Sequence, residues 1–392
     1  MNDHSGGWEL SEELQGLKKV ARDFVQREIR PVEETLEFDA YTLPTDVLEA
    51  ARAKARQAGI WCVASPDEYG GSDMSLLAQV VVAEEASQCR MGAYVPAGGA
   101  FGWDPPNVIY KGTEEQIQKY AVPTIAEGGK TFVAISEPGG GADPARSITT
   151  SARREGDTYV LNGTKTWISA ADSSDWGVVF ARTSPGRHGV SCFIVDADAP
   201  GLSMKPIPVI RSWYPCELSF EDCVVPAENL IGEEGKGFTL AQHWLVHGRV
   251  PYAAATLGIA SAALAIAIDY ARNREAFGSK LADKQAIQWM IADSEIEIRA
   301  ARGLVYQAAW KADSGKDFKF EASAAKVYAT ETAGRVVDRC IQILGGMGVA
   351  KEVPLERWYR EMRIKRIGEG PSEVHRMVVA RQLLSGAPGA RS

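Results

Sequence analysis

Several things are scarce in this sequence, and each scarcity excludes something. Basic charge is not in excess: 43 Lys and Arg stand against 51 Asp and Glu, a formal net charge of −8. Nucleic-acid binding normally leaves a basic footprint and so gains no support, although a local basic patch for phosphates is compatible with this balance. The six cysteines, at 62, 89, 192, 216, 223 and 340, form no CxxC pair and are too widely spread for a disulfide framework, which suits reduced, buried thiols. His4, His188, His243, His247 and His375 show no metal spacing with carboxylates or cysteines. His243 and His247 lie one helical turn apart, but no third ligand is evident, so no metal is expected. The start, MNDHSGGWELSEELQ, lacks the basic and apolar regions of a signal peptide. No membrane span is expected. A soluble, cytoplasmic protein is the resulting expectation.

What is present is an ordinary globular mix, 45% apolar and 24% charged, in 392 residues, enough for two or three domains with a sizeable core. The first third has helical periodicity. Leu10, Leu14, Leu17, Val20, Ala21, Phe24 and Val25 recur at three- and four-residue steps. Further helices are expected over 46–57, stopped by Gly59, over 75–87, and over 114–126, opened by Thr113 as N-cap. Near Thr131 the pattern changes. Short runs such as FVAIS, YVLNGTK, WGVVFART, VSCFIVDA, LSMKPI and ELSFEDCVVP read as strands, with tight turns at Asn162-Gly163 and Pro185-Gly186. From Phe238 the helical period returns, over 257–274, 284–310, 322–343 and 355–384, with Ala-rich stretches suited to close packing in a bundle. The expected domains are therefore 1–130 helical, 131–238 β and 239–392 a helical bundle.

Five motifs could carry chemistry. In Ser136-Glu137-Pro138-Gly139-Gly140-Gly141-Ala142-Asp143, three glycines after a strand let a ligand approach the backbone, or simply make a turn; this is not a dinucleotide fingerprint. In Gly163-Thr164-Lys165-Thr166-Trp167-Ile168-Ser169, Trp167 is either a core aromatic or a wall against a cofactor ring. Arg272-Asn273-Arg274-Glu275-Ala276-Phe277-Gly278, followed by Gln285, is either a solvated helix end or a phosphate contact. In Gln342-Ile343-Leu344-Gly345-Gly346-Met347-Gly348 the glycines end a helix and can also expose backbone to a ligand. Last, Glu369 stands between Gly368 and Gly370 before Pro371, Ser372 and Glu373. With little side-chain cover it can face a pocket in the turn before a helix starting near Ser372, or be a loop carboxylate favoured by that helix's dipole.

Taken together and in this order, these motifs resemble the acyl-CoA dehydrogenase family over essentially the whole chain. LERWYREMRI and VVARQLL resemble the same family's C-terminal region. The resemblance implies an α+β multidomain fold: an N-terminal helical domain, a middle β-barrel-like or sandwich domain and a C-terminal four-helix bundle. It also implies FAD. Val133, Ile135, Ser136, Gly141 and Ala142 would line the flavin and the thioester end of the substrate, with Trp167, Ile168 and Ser169 facing the isoalloxazine. Arg274 and Gln285 would reach the FAD of a neighbouring subunit in a homotetramer, a dimer of dimers, with Phe277 also in the cofactor set. Gln342, Ile343, Gly345 and Gly346 would contact the adenine half, and Pro371 and Glu373 belong to the same cofactor set. Glu369 aligns with the family's base, with Arg249, Gly368, Gly370 and Ala142 around the substrate. Some members carry the base one residue before the arginine; here that position is Gly248, which cannot serve.

The implied reaction is α,β-dehydrogenation of an acyl-CoA to the trans-2-enoyl-CoA, with electrons passed on to an electron-transfer flavoprotein. Three departures bear on the acyl group. Ala142 replaces a commoner serine, Gly368 replaces a frequent aromatic residue, and Arg211-Ser212-Trp213-Tyr214-Pro215 replaces smaller polar residues. They point to a branched, cyclic or aromatic acyl chain. Two other readings stand beside this one: a flavin oxidase or monooxygenase on the same scaffold, and an acyl-CoA-binding relative without catalysis.

Overall fold

The structure is a computed structural model and describes residues 9–186 and 189–385; His4, His188 and the tail after Ser385 lie outside the described residues. In chain order the helices are α1 Glu12–Phe24, α2 Arg30–Glu33, α3 Thr45–Gln57, α4 Leu76–Ala86, α5 Glu114–Gln116, α6 Val122–Glu127, α7 Pro144–Ser147, α8 Gly237–Asn273, α9 Gln285–Asp313, α10 Lys319–Leu344, α11 Leu355–Lys365 and α12 Ser372–Leu384. The strands are β1 Lys130–Ala134, β2 Ser151–Glu155, β3 Thr158–Ile168, β4 Ser174–Arg182, β5 Val190–Asp196, β6 Leu202–Pro206, β7 Cys216–Pro226, β8 Leu230–Ile231, β9 Glu275–Ala276 and β10 Ser279–Lys280. They form two compact units that interleave in sequence: Met1–Ile60, Met74–Ala100 and Val250–Lys365 in the first, Trp61–Asp73, Phe101–Arg249 and Arg366–Ser392 in the second.

The first unit is helical. The apolar stretch of α8 is its centre: Ile259, Ala260, Ala263, Leu264, Ala267 and Ala271 are buried against Ile298 of α9, Val336, Val337 and Cys340 of α10, and Trp358 and Met362 of α11. Small residues let these helices approach closely. At Gly258 an added Cβ would lie 2.0 Å from the Glu84 carbonyl of α4, so only glycine fits. The N-terminus of α4 is closed twice, by the Ser75 hydroxyl and by Asp313, whose carboxylate accepts from the main-chain N–H of Leu76 and Leu77 at 2.7 and 2.9 Å. α8 starts twenty residues before the expected 257, because Pro251 lies inside it without ending it.

The second unit is built on an eight-stranded sheet in the order β6-β7-β3-β2-β4-β5-β8, with β1 parallel beside β4. β4 and β5 are buried on both faces, which is why they read as unbroken apolar runs. Val179, Ala181, Phe193 and Val195 face one cluster; Trp176, Val178, Phe180, Cys192 and Ile194 face the other, under Ile117, Tyr120 and Ala121. The helical segment carrying those residues opens, as expected, at Thr113, in a capping box with Gln116.

Two local expectations are corrected. Asn162-Gly163 is no turn: it lies inside β3 as an irregularity opposite β7, where Gly163 has φ +145° and an added Cβ would meet Thr150 Cα at 2.7 Å. The 355–384 pattern is two helices, α11 and α12, separated by the segment that carries Glu369.

One ion pair stitches the helical unit. Glu84 is buried; its Oε1 accepts from Arg302 Nε and Nη2 at 2.9 and 2.7 Å, and its Oε2 from the Tyr306 hydroxyl at 2.9 Å. Arg302→Met keeps the bulk but leaves that carboxylate without its cation. It should cost about 3–5 kcal/mol of stability, against about 1 kcal/mol for Tyr306→Phe, as read by denaturant unfolding.

Candidate active site

The glycine loop begins where β1 ends. Glu137 and Gly140 exchange main-chain hydrogen bonds at 3.2 and 3.0 Å, and the loop beyond them, with Gly141 and Ala142, is exposed. The loop is held from below by the Glu137 side chain, which the sequence reading did not single out. Its Oε2 accepts from the Thr149 N–H and hydroxyl at 2.7 and 2.6 Å, and its Oε1 from the Thr150 N–H at 3.0 Å. Oε1 also meets Lys165 Nζ at 2.8 Å, and that ammonium donates to the Ile135 carbonyl at 3.1 Å. Burial would raise Glu137, but the Lys165 charge and these hydrogen bonds outweigh it and hold the carboxyl at about 2. Burial pushes Lys165 down to about 8, against the pull of Glu137. The available signal was a charged pair inside two glycine-bearing motifs, at inward positions of a β domain.

Lys165 sits on β3, and the end of that strand is the second part of the site. Thr166 donates its N–H to the Ser136 carbonyl at 2.9 Å, which places the two motifs side by side. Trp167 is 59% exposed at φ +63°, so it is not a core aromatic. Ser169 is also exposed, and its hydroxyl accepts from Arg211 Nη2 at 2.9 Å. Ile135 and Ile168 turn the other way into the cores, so only their main chains remain available to a ligand.

Glu369 occupies the third part. It has φ +57° between Arg366 and Ser372, whose main chains are joined by the Ser372 N–H donating to the Arg366 carbonyl at 3.1 Å. The Glu369 carbonyl accepts from Arg249 Nε at 3.2 Å and meets His375 Nε2 at 3.0 Å. A carbonyl oxygen can only accept, so His375 carries its proton on Nε2. Gly370 is required beside it: φ is +91°, and a Cβ would lie 3.0 Å from that ring nitrogen. Burial pushes the Arg249 guanidinium below its ordinary value, and the Glu369 carboxylate pulls it back. The corner is thus anchored through its main chain.

The remaining candidates belong to the helical unit. Phe277 and Gly278 form the turn of the β9–β10 hairpin, with Phe277 98% exposed at φ +52°. Arg274 precedes that hairpin and Gln285 opens α9; both are exposed. Gln342, Gly345 and Gly346 are exposed at the end of α10, where Gly345 caps the helix at φ +61°, while the Ile343 side chain is in the core.

Models of three acyl-CoA dehydrogenase domains match this chain in order: the N-terminal domain over residues 11–129, the middle domain over 133–223 and the C-terminal domain over 235–384. The chain belongs to the acyl-CoA dehydrogenase family. It is 38% identical over 384 residues to the short-chain specific acyl-CoA dehydrogenase, mitochondrial, of Rattus norvegicus, covering 96% of this chain and 91% of the relative. It is also 38% identical over 387 residues to the caffeyl-CoA reductase-Etf complex subunit CarC of Acetobacterium woodii, covering 96% and 99%. A solved glutaryl-CoA dehydrogenase from Mycobacterium smegmatis in complex with FADH2 superposes with TM-score 0.85 at 25% identity, covering 96% of both chains. This acyl-CoA dehydrogenase is an FAD-dependent oxidoreductase acting on acyl-CoA thioesters. Its residues fit that cofactor: a large aromatic face held out in water at Trp167 is costly alone and suits a flat ring laid against it.

The Glu137 value gives a pH prediction. A carboxyl whose folded value lies below its ordinary 4.5 contributes stability above that value and loses it as pH falls toward about 2. Glu137→Gln should therefore be less stable at neutral pH and show a flatter dependence between about pH 4.5 and 2, measured by unfolding across pH.

Proposed function

We propose that this enzyme removes the α-proton of its acyl-CoA with the Glu369 carboxylate while a hydride departs from Cβ. The observation that carries the reading is the corner just described. Glu369 sits at a left-handed φ, between Arg249 and His375, with its main chain anchored and its carboxylate beside a desolvated guanidinium. An α C–H is a weak acid, so its base must be brought to it in a site that excludes water. Charge developing on the thioester carbonyl calls for donors placed in advance, and the Glu369 N–H is the chain's own candidate. FAD, when bound, supplies the hydride acceptor.

Val133, Ser136, Gly141, Ala142, Trp167 and Ser169 are the residues we assign to holding the flavin, with Pro371 and Glu373 behind the base. Arg274, Phe277, Gln285, Gln342, Gly345 and Gly346 are assigned to the FAD of a neighbouring subunit in a homotetramer. Trp289, Ile296 and Trp310 support assembly: they are exposed on α9 at multiples of seven residues, and so share one face. The name of the Acetobacterium relative supports an electron-transfer flavoprotein as redox partner. The same name, with Gly368 beside the base, supports an aromatic, cyclic or branched acyl group.

Glu369→Gln should fold and keep FAD but lose substrate-driven flavin bleaching by at least about 10²–10⁴-fold. Anaerobic stopped-flow measurement checks this, and a near wild-type rate would refute the assignment. For the acyl group, Gly368→Tyr should depress kcat/KM for aryl and branched acyl-CoAs by roughly 10–200-fold more than for butyryl-CoA. A wild-type enzyme preferring unbranched chains across the whole panel would exclude that specificity.

A further inference from the structure

The chain after β6 turns two large side chains inward. Residues 207–215 form a loop between β6 and β7, closed where the Ile207 N–H donates to the Pro215 carbonyl at 2.7 Å. Ile210 is 51% exposed, yet its neighbour Arg211 is only 5% exposed and Trp213 7%. Arg211 lies 5.5 Å over the Trp213 ring. Lys130 lies 4.8 Å from the same ring and 5.8 Å from Trp103, and the two tryptophans meet at 6.0 Å with a tilt of 60°. Cations and indoles thus alternate, and the free end of this stack is the Arg211 hydrogen bond to Ser169.

Ser169 lies in a strained corner. Trp167 before it and Ala170 after it have φ of +63° and +66°, and neither is glycine. Such residues keep that conformation only where their surroundings over-determine it. The Ser136 carbonyl holds one side through Thr166, and the Ser174 hydroxyl holds the Ala170 carbonyl at 2.7 Å. Arg211 holds the exposed middle.

We propose that Arg211, braced by Trp213, is a positioning residue for the flavin: it fixes the Ser169 hydroxyl and sets a permanent positive charge one hydrogen bond behind the flavin-facing corner. The proposal rests on the assignment of Trp167 and Ser169 to the flavin. Uptake of a hydride adds one negative charge to the ring system, so a fixed cation nearby favours the reduced cofactor over the oxidised one.

The test uses holoenzyme variants, with the flavin-to-protein ratio, visible spectrum and reduction potential as readouts. Arg211→Gln retains a donor but not the charge. It should weaken binding of reduced relative to oxidised FAD about tenfold, a fall of about 30 mV for a two-electron couple. Arg211→Lys should restore most of the potential. Trp213→Leu keeps the charge but removes its brace, and should shift the visible spectrum and speed FAD loss on dilution. Trp167→Ala is the control, because a flavin-facing tryptophan must alter the spectrum when removed. An unchanged potential in Arg211→Gln beside a shifted spectrum in Trp167→Ala overturns the proposal. An unshifted spectrum in Trp167→Ala overturns the flavin-facing assignment itself.

Discussion

The Glu137–Lys165 contact is the constraint on which the glycine loop and the end of β3 depend. A glycine-rich loop has no side chains with which to hold its own shape, and it faces water. Its order must come from the one long side chain it carries inward. Glu137 supplies this by joining the main chain at Thr149 and Thr150 to the ammonium of β3. Lys165 in turn reaches the carbonyl of Ile135, so the end of β1, the loop and the end of β3 share one polar centre. Two opposite charges placed in a dry interior are tolerable only when each has its partner and its hydrogen bonds. Here each has both, and the exposed Trp167 and Ser169 lie within four residues of that centre along β3 and its continuation.

Backbone strain recurs at three of the candidate residues. Among the described residues, eight non-glycine residues have positive φ, and Trp167, Phe277 and Glu369 are three of them. Each had been singled out in the sequence for chemistry, and none occupies a position where glycine would have been difficult to place. A side chain kept where glycine would be easier indicates that the side chain itself is wanted.

Much of this was legible beforehand where local physics decides. Ser75 and Thr113 announce helix starts because a hydroxyl satisfies an orphan N–H close in sequence. β4 and β5 are plain because both their faces are buried. The polar strand β2, Ser-Ala-Arg-Arg-Glu, is not plain, since only Ala152 of its five residues is buried and its pairing, chiefly with β3, makes it a strand. Asn162-Gly163 carries the strongest short turn signal, yet glycine is needed there for an approach to Thr150, a contact no local pattern reveals. The roles of Glu137, Lys165, Arg211 and Trp213 were hidden for the same reason. Each depends on a partner at least 28 positions away.

The anchoring of Glu369 has an evolutionary consequence. Arg249 and His375 hold its carbonyl oxygen, an atom every amino acid possesses, so these two anchors survive any unbranched side chain that tolerates a left-handed φ. With Glu369 as the proposed base, a Gln at this position would keep these anchors and lose the base. A descendant released from the need to turn over substrate could change this one residue and keep its architecture. Within such a lineage, catalytic and silent copies would look alike everywhere except at one carboxylate.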